Sequence, residues 1–270
     1  MANPHEIRLA VFDWAGTTID FGCLAPAGAF VAAFAERGIA VSMAEVRRPM
    51  GLHKKDHLRV MLQDPDLTAR WETACGRGWS ETDVDDLYRL VTPMQVAAAG
   101  KYSALIPGAT ACVAKLRSRD VKIAATTGYF REAAEVVYAA GKAQGYEPDA
   151  TICADEVPAG RPAPWMIFRV MEALGIYPTC SVVKVGDTIV DIEDGKNAGA
   201  WSVGVVDSSN EVGLSSEAFA LLGEEEREEL RLAVRSKFFA AGADAVIQDL
   251  SELPPLVGEF NRRLRTGRRP

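Results

Sequence analysis

At 270 residues the chain has room for about two ordinary domains, or one large domain carrying an insertion. Hydrophobic residues at 48% and charged residues at 25% exclude a disordered or fibrous protein. A formal net charge of −7 argues against a broad surface for nucleic acid or an anionic membrane.

The stretch from Met1 to Glu6 is polar, and no run approaches the ~18 apolar residues of a membrane span. Five widely spaced cysteines form no CxxC pair, which excludes a disulfide framework or a zinc ribbon. Three histidines leave little room for a histidine-rich metal site. These features predict a cytoplasmic protein without nucleic-acid or membrane partners.

The first apolar burst, Ile7 to Phe12, reads as a buried strand that stops at Asp13-Trp14-Ala15-Gly16-Thr17-Thr18. From about Phe21 to Gly100 the chain is rich in Ala, Glu, Arg, Met and Leu at helical spacing. Helices are predicted there over 26–36, 43–48, 55–63 and 83–99. Strand patterns then resume at 121–126, 150–154, 181–185, 201–206 and 243–248. Helical patterns at 131–144, 165–174 and 192–198 alternate with them. Such alternation predicts an α/β fold, a Rossmann-like parallel sheet core with a helical cap domain inserted after the first strand. The predicted core comprises residues 1–21 and 101–270, and the predicted cap residues 22–100. The acidic run Glu224 to Glu229 reads as a solvated helix face. The basic end, with Arg262, Arg263, Arg265, Arg268 and Arg269, reads as a mobile tail.

Ligands of parallel α/β sheets bind outside the carboxyl ends of the strands. There the sequence places Asp13, then Thr126-Thr127-Gly128, then Gly186-Asp187 with Asp191 a helical turn further on. Arg161 precedes a helix nearby. Carboxylates beside donors suited to phosphate imply a hard divalent cation, Mg²⁺.

The Asp13–Thr18 segment resembles the first motif of the haloacid dehalogenase superfamily. Thr127 resembles its second motif, Arg161 its basic third, and Gly186-Asp187 with Asp191 its fourth. Further segments resemble its phosphonatase family, the phosphonoacetaldehyde hydrolases. They are Pro49-Met50-Gly51 with Lys54, Asp56 and His57; Thr126 to Tyr129; Val157 to Pro162; and Lys184 to Thr188. The resemblance implies Asp13 as a nucleophile that forms an aspartyl-phosphate and also binds the metal. It implies Asp187 and the Ala15 carbonyl as further metal ligands, with Asp191 in support, although Asp191 also suits a helix N-terminus. Thr127 and the Gly128 N–H would hold phosphoryl oxygens, and Arg161, pinned extended by Pro162, would stabilise charge. Met50 and Tyr129 would line the site, and a homodimer contacting through the caps is implied. Cys23 reads as a small buried hydrophobe, His53 as background and Trp14 as a wedge for the loop.

Ala15 is the informative departure. Phosphatases of the superfamily carry an aspartate two residues after the nucleophile that protonates the leaving group, a contribution of about 10²–10⁴-fold. A C–P bond has no use for that acid, because its bare leaving group is a carbanion. An imine formed between the neighbouring aldehyde and a lysine lets the electrons flow into an enamine instead. Lys54 and His57, three residues apart, share a helix face, whereas Lys55 points about 100° away. The resemblance selects Lys54 as the predicted Schiff-base lysine, its pKa lowered by desolvation and nearby cations, with His57 a proton shuttle or a packed histidine. The predicted activity is hydrolysis of a small phosphonate. The alternatives are a phosphomonoesterase, which Ala15 disfavours, a metal-free dehalogenase, which Asp187 and Asp191 disfavour, and a silent phosphate-binding protein.

Overall fold

A computed structural model describes residues 6–270; the polar residues 1–5 lie outside them. The chain runs β1 (Leu9–Phe12), then five helices, α1 (Leu24–Ala35), α2 (Met43–Arg47), α3 (Lys54–Leu62), α4 (Pro65–Cys75) and α5 (Glu81–Lys101). It continues with α6 (Ala109–Arg117), β2 (Lys122–Thr127), α7 (Arg131–Ala143), β3 (Ala150–Cys153), α8 (Trp165–Leu174), β4 (Val182–Gly186) and α9 (Ile189–Ala198). It ends with β5 (Trp201–Val205), α10 (Ser216–Leu221), α11 (Glu224–Ala240), β6 (Ala245–Ile247) and α12 (Leu253–Arg265). Among the described residues no helix is long and apolar enough to cross a membrane.

The strands form one parallel sheet in the order β3-β2-β1-β4-β5-β6. β1 is wholly buried and lies between β2 and β4, with Phe12 level with Ala125 on one side and Val185 on the other. Buried on both faces, such strands read as continuous apolar runs, and each predicted strand lies within about two residues of its run. The register also aligns strand ends, so Asp13, Thr127 and Asp187 leave the sheet on the same edge. The helices inserted after β1 pack on one another, α1 and α3 against α5, while α5 also lies along α7. Phe30, Phe34, Leu58, Leu62, Trp71, Leu87 and Val91 fill their interior.

Three expectations need correction. Helices α4, α6 and α10 were not predicted, yet Asp64 caps α4 by accepting from the Asp66 and Leu67 N–H groups, Pro65 begins it and Gly76 follows it. Helix α9 starts at Ile189 rather than 192, because Thr188 and Asp191 form a reciprocal capping box. The basic end is no mobile tail as far as Arg265. Val257, Phe260 and Leu264 bury one face of α12, Phe260 stacks on Trp201 at 4.4 Å, and Arg263 lies over the Phe260 ring. Its arginines occupy the outer face and last turn, where cations complement the helix dipole. The acidic run opens α11, where Glu224, Glu225 and Glu226 suit the positive end of the dipole.

Candidate active site

Asp13 leaves β1 with its N–H bonded to the Val185 carbonyl at 2.9 Å. Thr18 Oγ1 donates back to the Asp13 carbonyl at 3.0 Å, which curls the loop over the strand end. Gly16 has φ +81°, and a Cβ there would stand 2.0 Å from Asp187 Oδ2, so only glycine lets the loop approach that carboxylate. Thr17 Oγ1 donates to Asp187 Oδ1 at 3.1 Å, and the Asn210 N–H donates to Asp187 Oδ2 at 2.9 Å. Trp14 turns away into the core against Tyr138 and Tyr146, as a wedge should. The loop's remaining acid, Asp20, accepts from the Leu24 and Ala25 N–H groups and so caps α1. It does not stand in for the carboxylate that Ala15 lacks.

Behind the strand ends lies a buried ion network. Arg161 Nη2 donates to Asp13 Oδ1 at 2.8 Å and to the carbonyl and hydroxyl of Thr126 at 2.8 and 2.9 Å. Its Nη1 pairs with Asp191 at 3.0 Å and its Nε lies 3.6 Å from Asp194. The Arg161–Pro162 peptide bond is cis. Lys184, buried in β4, donates to Asp191 Oδ1 at 2.7 Å. Burial alone would raise Asp191, but Arg161 and Lys184 hold it at about 2. Burial pushes Asp187 well above the carboxylate range, and the charges of Asp13 and Asp191 push it the same way. Burial likewise lifts Asp194 to about 7.

Asp13, Asp187 and Asp191 present oxygens that all lie within 4.8 Å of one another. Counting Asp194, four buried carboxylates face two buried cations on the core side. A divalent cation fits that hard-oxygen cluster and its surplus negative charge.

The cap closes the site from the opposite side. Gly51, with φ +93°, precedes α3, and a Cβ there would lie 2.3 Å from Val190 and 2.7 Å from Thr188. Glycine therefore lets the cap loop rest directly on the core. Asp13, Ala15, Cys23, Met50, Lys54, Thr127, Gly128, Tyr129 and Arg161 line the small cleft between them. Lys54 is 4% exposed, and among the described residues its ammonium has no ion-pair partner. It lies 5.3 Å above the Tyr129 ring and 5.8 Å from that of Phe30. Burial lowers its pKa to about 8, with Arg161 adding to the effect while Cys23 and Asp13 oppose it. Lys55 instead points outward to Asp85 at 2.6 Å, and His53 caps α3. His57 is fully buried outside the cleft wall and stacked on Phe30 at 3.8 Å. Burial, then Lys54, holds it well below the usual imidazole range.

The structure thus gathers every predicted site residue at one seam, with His57, Asp187 and Asp191 behind the cleft wall. Sequence reasoning did not single out Lys184, Thr17, Thr126, Asp194 or Asn210 as site residues, and it gave Cys23 no place on the cleft wall. Lys184 did leave a signal, as the one charge in the apolar run Val182 to Val185. A buried strand tolerates a charge only beside a partner.

Comparison with known proteins shows the family. The family described as haloacid dehalogenase-like hydrolase matches residues 7–199. The phosphonoacetaldehyde hydrolase of Bacillus cytotoxicus is 42% identical over 255 residues, 93% of this chain and 96% of that protein. That of Syntrophobacter fumaroxidans is 41% identical over 265 residues, 98% of this chain and 95% of the relative. A crystal structure of a phosphonoacetaldehyde hydrolase-like protein from Oleispira antarctica superposes with a TM-score of 0.97 at 39% identity. That match covers 100% of this chain and 97% of the other. The chain belongs to the haloacid dehalogenase-like hydrolases and, within them, to the phosphonoacetaldehyde hydrolase family.

Proposed function

We propose that this protein hydrolyses the C–P bond of phosphonoacetaldehyde, releasing acetaldehyde and phosphate, as a step of phosphonate catabolism. The observation that carries the reading is a buried lysine without a counter-ion among the described residues, facing Asp13 across a cleft where Ala15 leaves no general acid. Residues 22–100 serve as the cap and residues 1–21 with 101–270 as the core.

Lys54 in its neutral form adds to the aldehyde carbon and, with loss of water, gives an imine. His57, on α3 three residues from Lys54 and buried behind the cleft wall, would take and return the protons of that condensation. Asp13 then attacks phosphorus, and the C–P electron pair passes into the protonated imine to leave an enamine. Protonation and hydrolysis of the enamine free acetaldehyde and Lys54. Water cleaves the aspartyl-phosphate and frees Asp13, so one water is consumed overall. Thr127, the Gly128 N–H and Arg161 hold the phosphoryl oxygens as charge shifts among them. Met50 and Tyr129 shape the wall around the aldehyde end. Mg²⁺, held by Asp13, Asp187 and the Ala15 carbonyl with Asp191 in support, would offset the phosphoryl charge.

A cytoplasmic location is supported by all five cysteines being free. A homodimer, carried by the family resemblance, is checked by light scattering of the purified protein. The activity is tested by assaying phosphate and acetaldehyde together, with phosphonoacetaldehyde and with a panel of small phosphomonoesters. Equal release of both products, and phosphomonoesters slower by about 10² or more, is the expected result. Faster turnover of any phosphomonoester would assign the site to that chemistry instead.

A further inference from the structure

Arg47, the last residue of α2, sends its guanidinium out of the cap and into the core. Nη1 donates to the Gly22 carbonyl at 2.8 Å, to Asn210 Oδ1 at 2.9 Å and to the Asn210 carbonyl at 3.3 Å. Nη2 donates to the Gly213 carbonyl at 3.1 Å, and Asn210 Nδ2 returns a bond to the Arg47 carbonyl at 3.2 Å. A Cβ on Gly213 would lie 2.9 Å from Arg47 Nε, so the core loop is shaped around this side chain. Gly22 is where the chain passes into the cap. The Asn210 N–H holds Asp187 Oδ2 at 2.9 Å, and Arg47 leads through Met50 and Gly51 to Lys54. One guanidinium is therefore bonded to the hinge and to the loop that orients Asp187, and it is linked by a short run of chain to the cap lysine. All its acceptors are neutral, so the set can release and re-form without separating an ion pair.

We propose that Arg47 is a positioning residue that latches the cap over the site and couples its closure to the orientation of Asp187. The inference rests on the cap reading and not on C–P cleavage. Its test therefore uses a readout that needs no turnover, alkylation of the full chain by iodoacetamide followed by peptide mass spectrometry. Cys23 is buried on the cleft wall, Cys75 is exposed, and Cys112 and Cys153 are buried elsewhere in the core. In Arg47→Ala, Cys23 labelling should rise roughly tenfold or more against Cys75, as expected for loss of a charged hydrogen-bond set. Cys112 and Cys153 should stay protected, and Arg47→Lys should restore part of the protection. Asn210→Ala removes only the core side chain of the pair and reads the same way should Arg47→Ala fail to fold. Wild-type protection of Cys23 in the folded variants overturns the proposal. So does labelling that rises only together with Cys112 and Cys153, which marks general loosening. Intact labelling behaviour with no phosphonate turnover would instead count against the proposed function alone.

Discussion

At Ala15 a methyl group occupies the place from which an acid would serve an ester leaving group, and across the cleft Lys54 sits buried without a counter-ion among the described residues. Taking an ammonium out of water is costly, and the descent of Lys54 from 10.5 to about 8 corresponds to roughly 3 kcal/mol against folding. Because the folded value is the lower one, that cost is complete below pH 8 and fades as pH rises toward 10.5. Lys54→Met should therefore raise the thermal midpoint at pH 7, with the gain shrinking between pH 8 and 10.5, while turnover is lost. A flat difference across that range would show that desolvation of the ammonium is not the cause. On the proposed mechanism the same titration governs activity, so kcat/KM should climb with pH up to about 8 and then level off. His57→Phe retains the stack on Phe30 and deletes both ring nitrogens. A fall in kcat of about 10²–10⁴-fold supports a proton shuttle, and an unchanged kcat reduces His57 to packing. Lys54 was legible against Lys55 because helical spacing separates their directions and the family resemblance selects Lys54. Arg161 was legible as a cation but not as the hub of a fully buried network, since its partners Thr126 and Asp194 carry no spacing signal toward it.

Among the elements, strands proved legible because a parallel sheet buried on both faces leaves uninterrupted apolar runs. Helices α4 and α12 were missed for opposite reasons. The starting signal of α4, Asp64-Pro65, is local and lies among polar residues, whereas the arginines of α12 mask apolar residues at 253, 257, 260 and 264, a helical repeat. Phe260→Ala removes the ring stacked on Trp201 and should cost about 3–5 kcal/mol of stability, measured by denaturant unfolding. A loss under about 1 kcal/mol would return this end of the chain to the status of an undocked tail. Helix α9 does two jobs at once, because the Asp191 carboxylate that completes its capping box also receives Lys184 and Arg161. Of the two readings offered for Asp191, the helix terminus is seen in the capping box, while site support belongs to the proposed function.

In the whole molecule, the net charge of −7 coexists with a cleft whose walls carry Lys54 and Arg161. The acidic groups concentrate on the core side, where a cation fits, and the free ammonium comes from the cap. The proposed mechanism therefore draws on both bodies, with Asp13 from the core and Lys54 from the cap meeting across the cleft. That division was legible from the order of the segments along the chain, while the Arg47 contacts that fasten cap to core were not. Their acceptors are backbone carbonyls, which sequence does not mark. The most direct measurement of the central claim is borohydride reduction of the protein in the presence of phosphonoacetaldehyde, followed by peptide mass spectrometry. A stable adduct is expected on the peptide bearing Lys54 and none in Lys54→Arg, which should also be inactive. Phosphate release without any adduct, or full activity in Lys54→Arg, would contradict it.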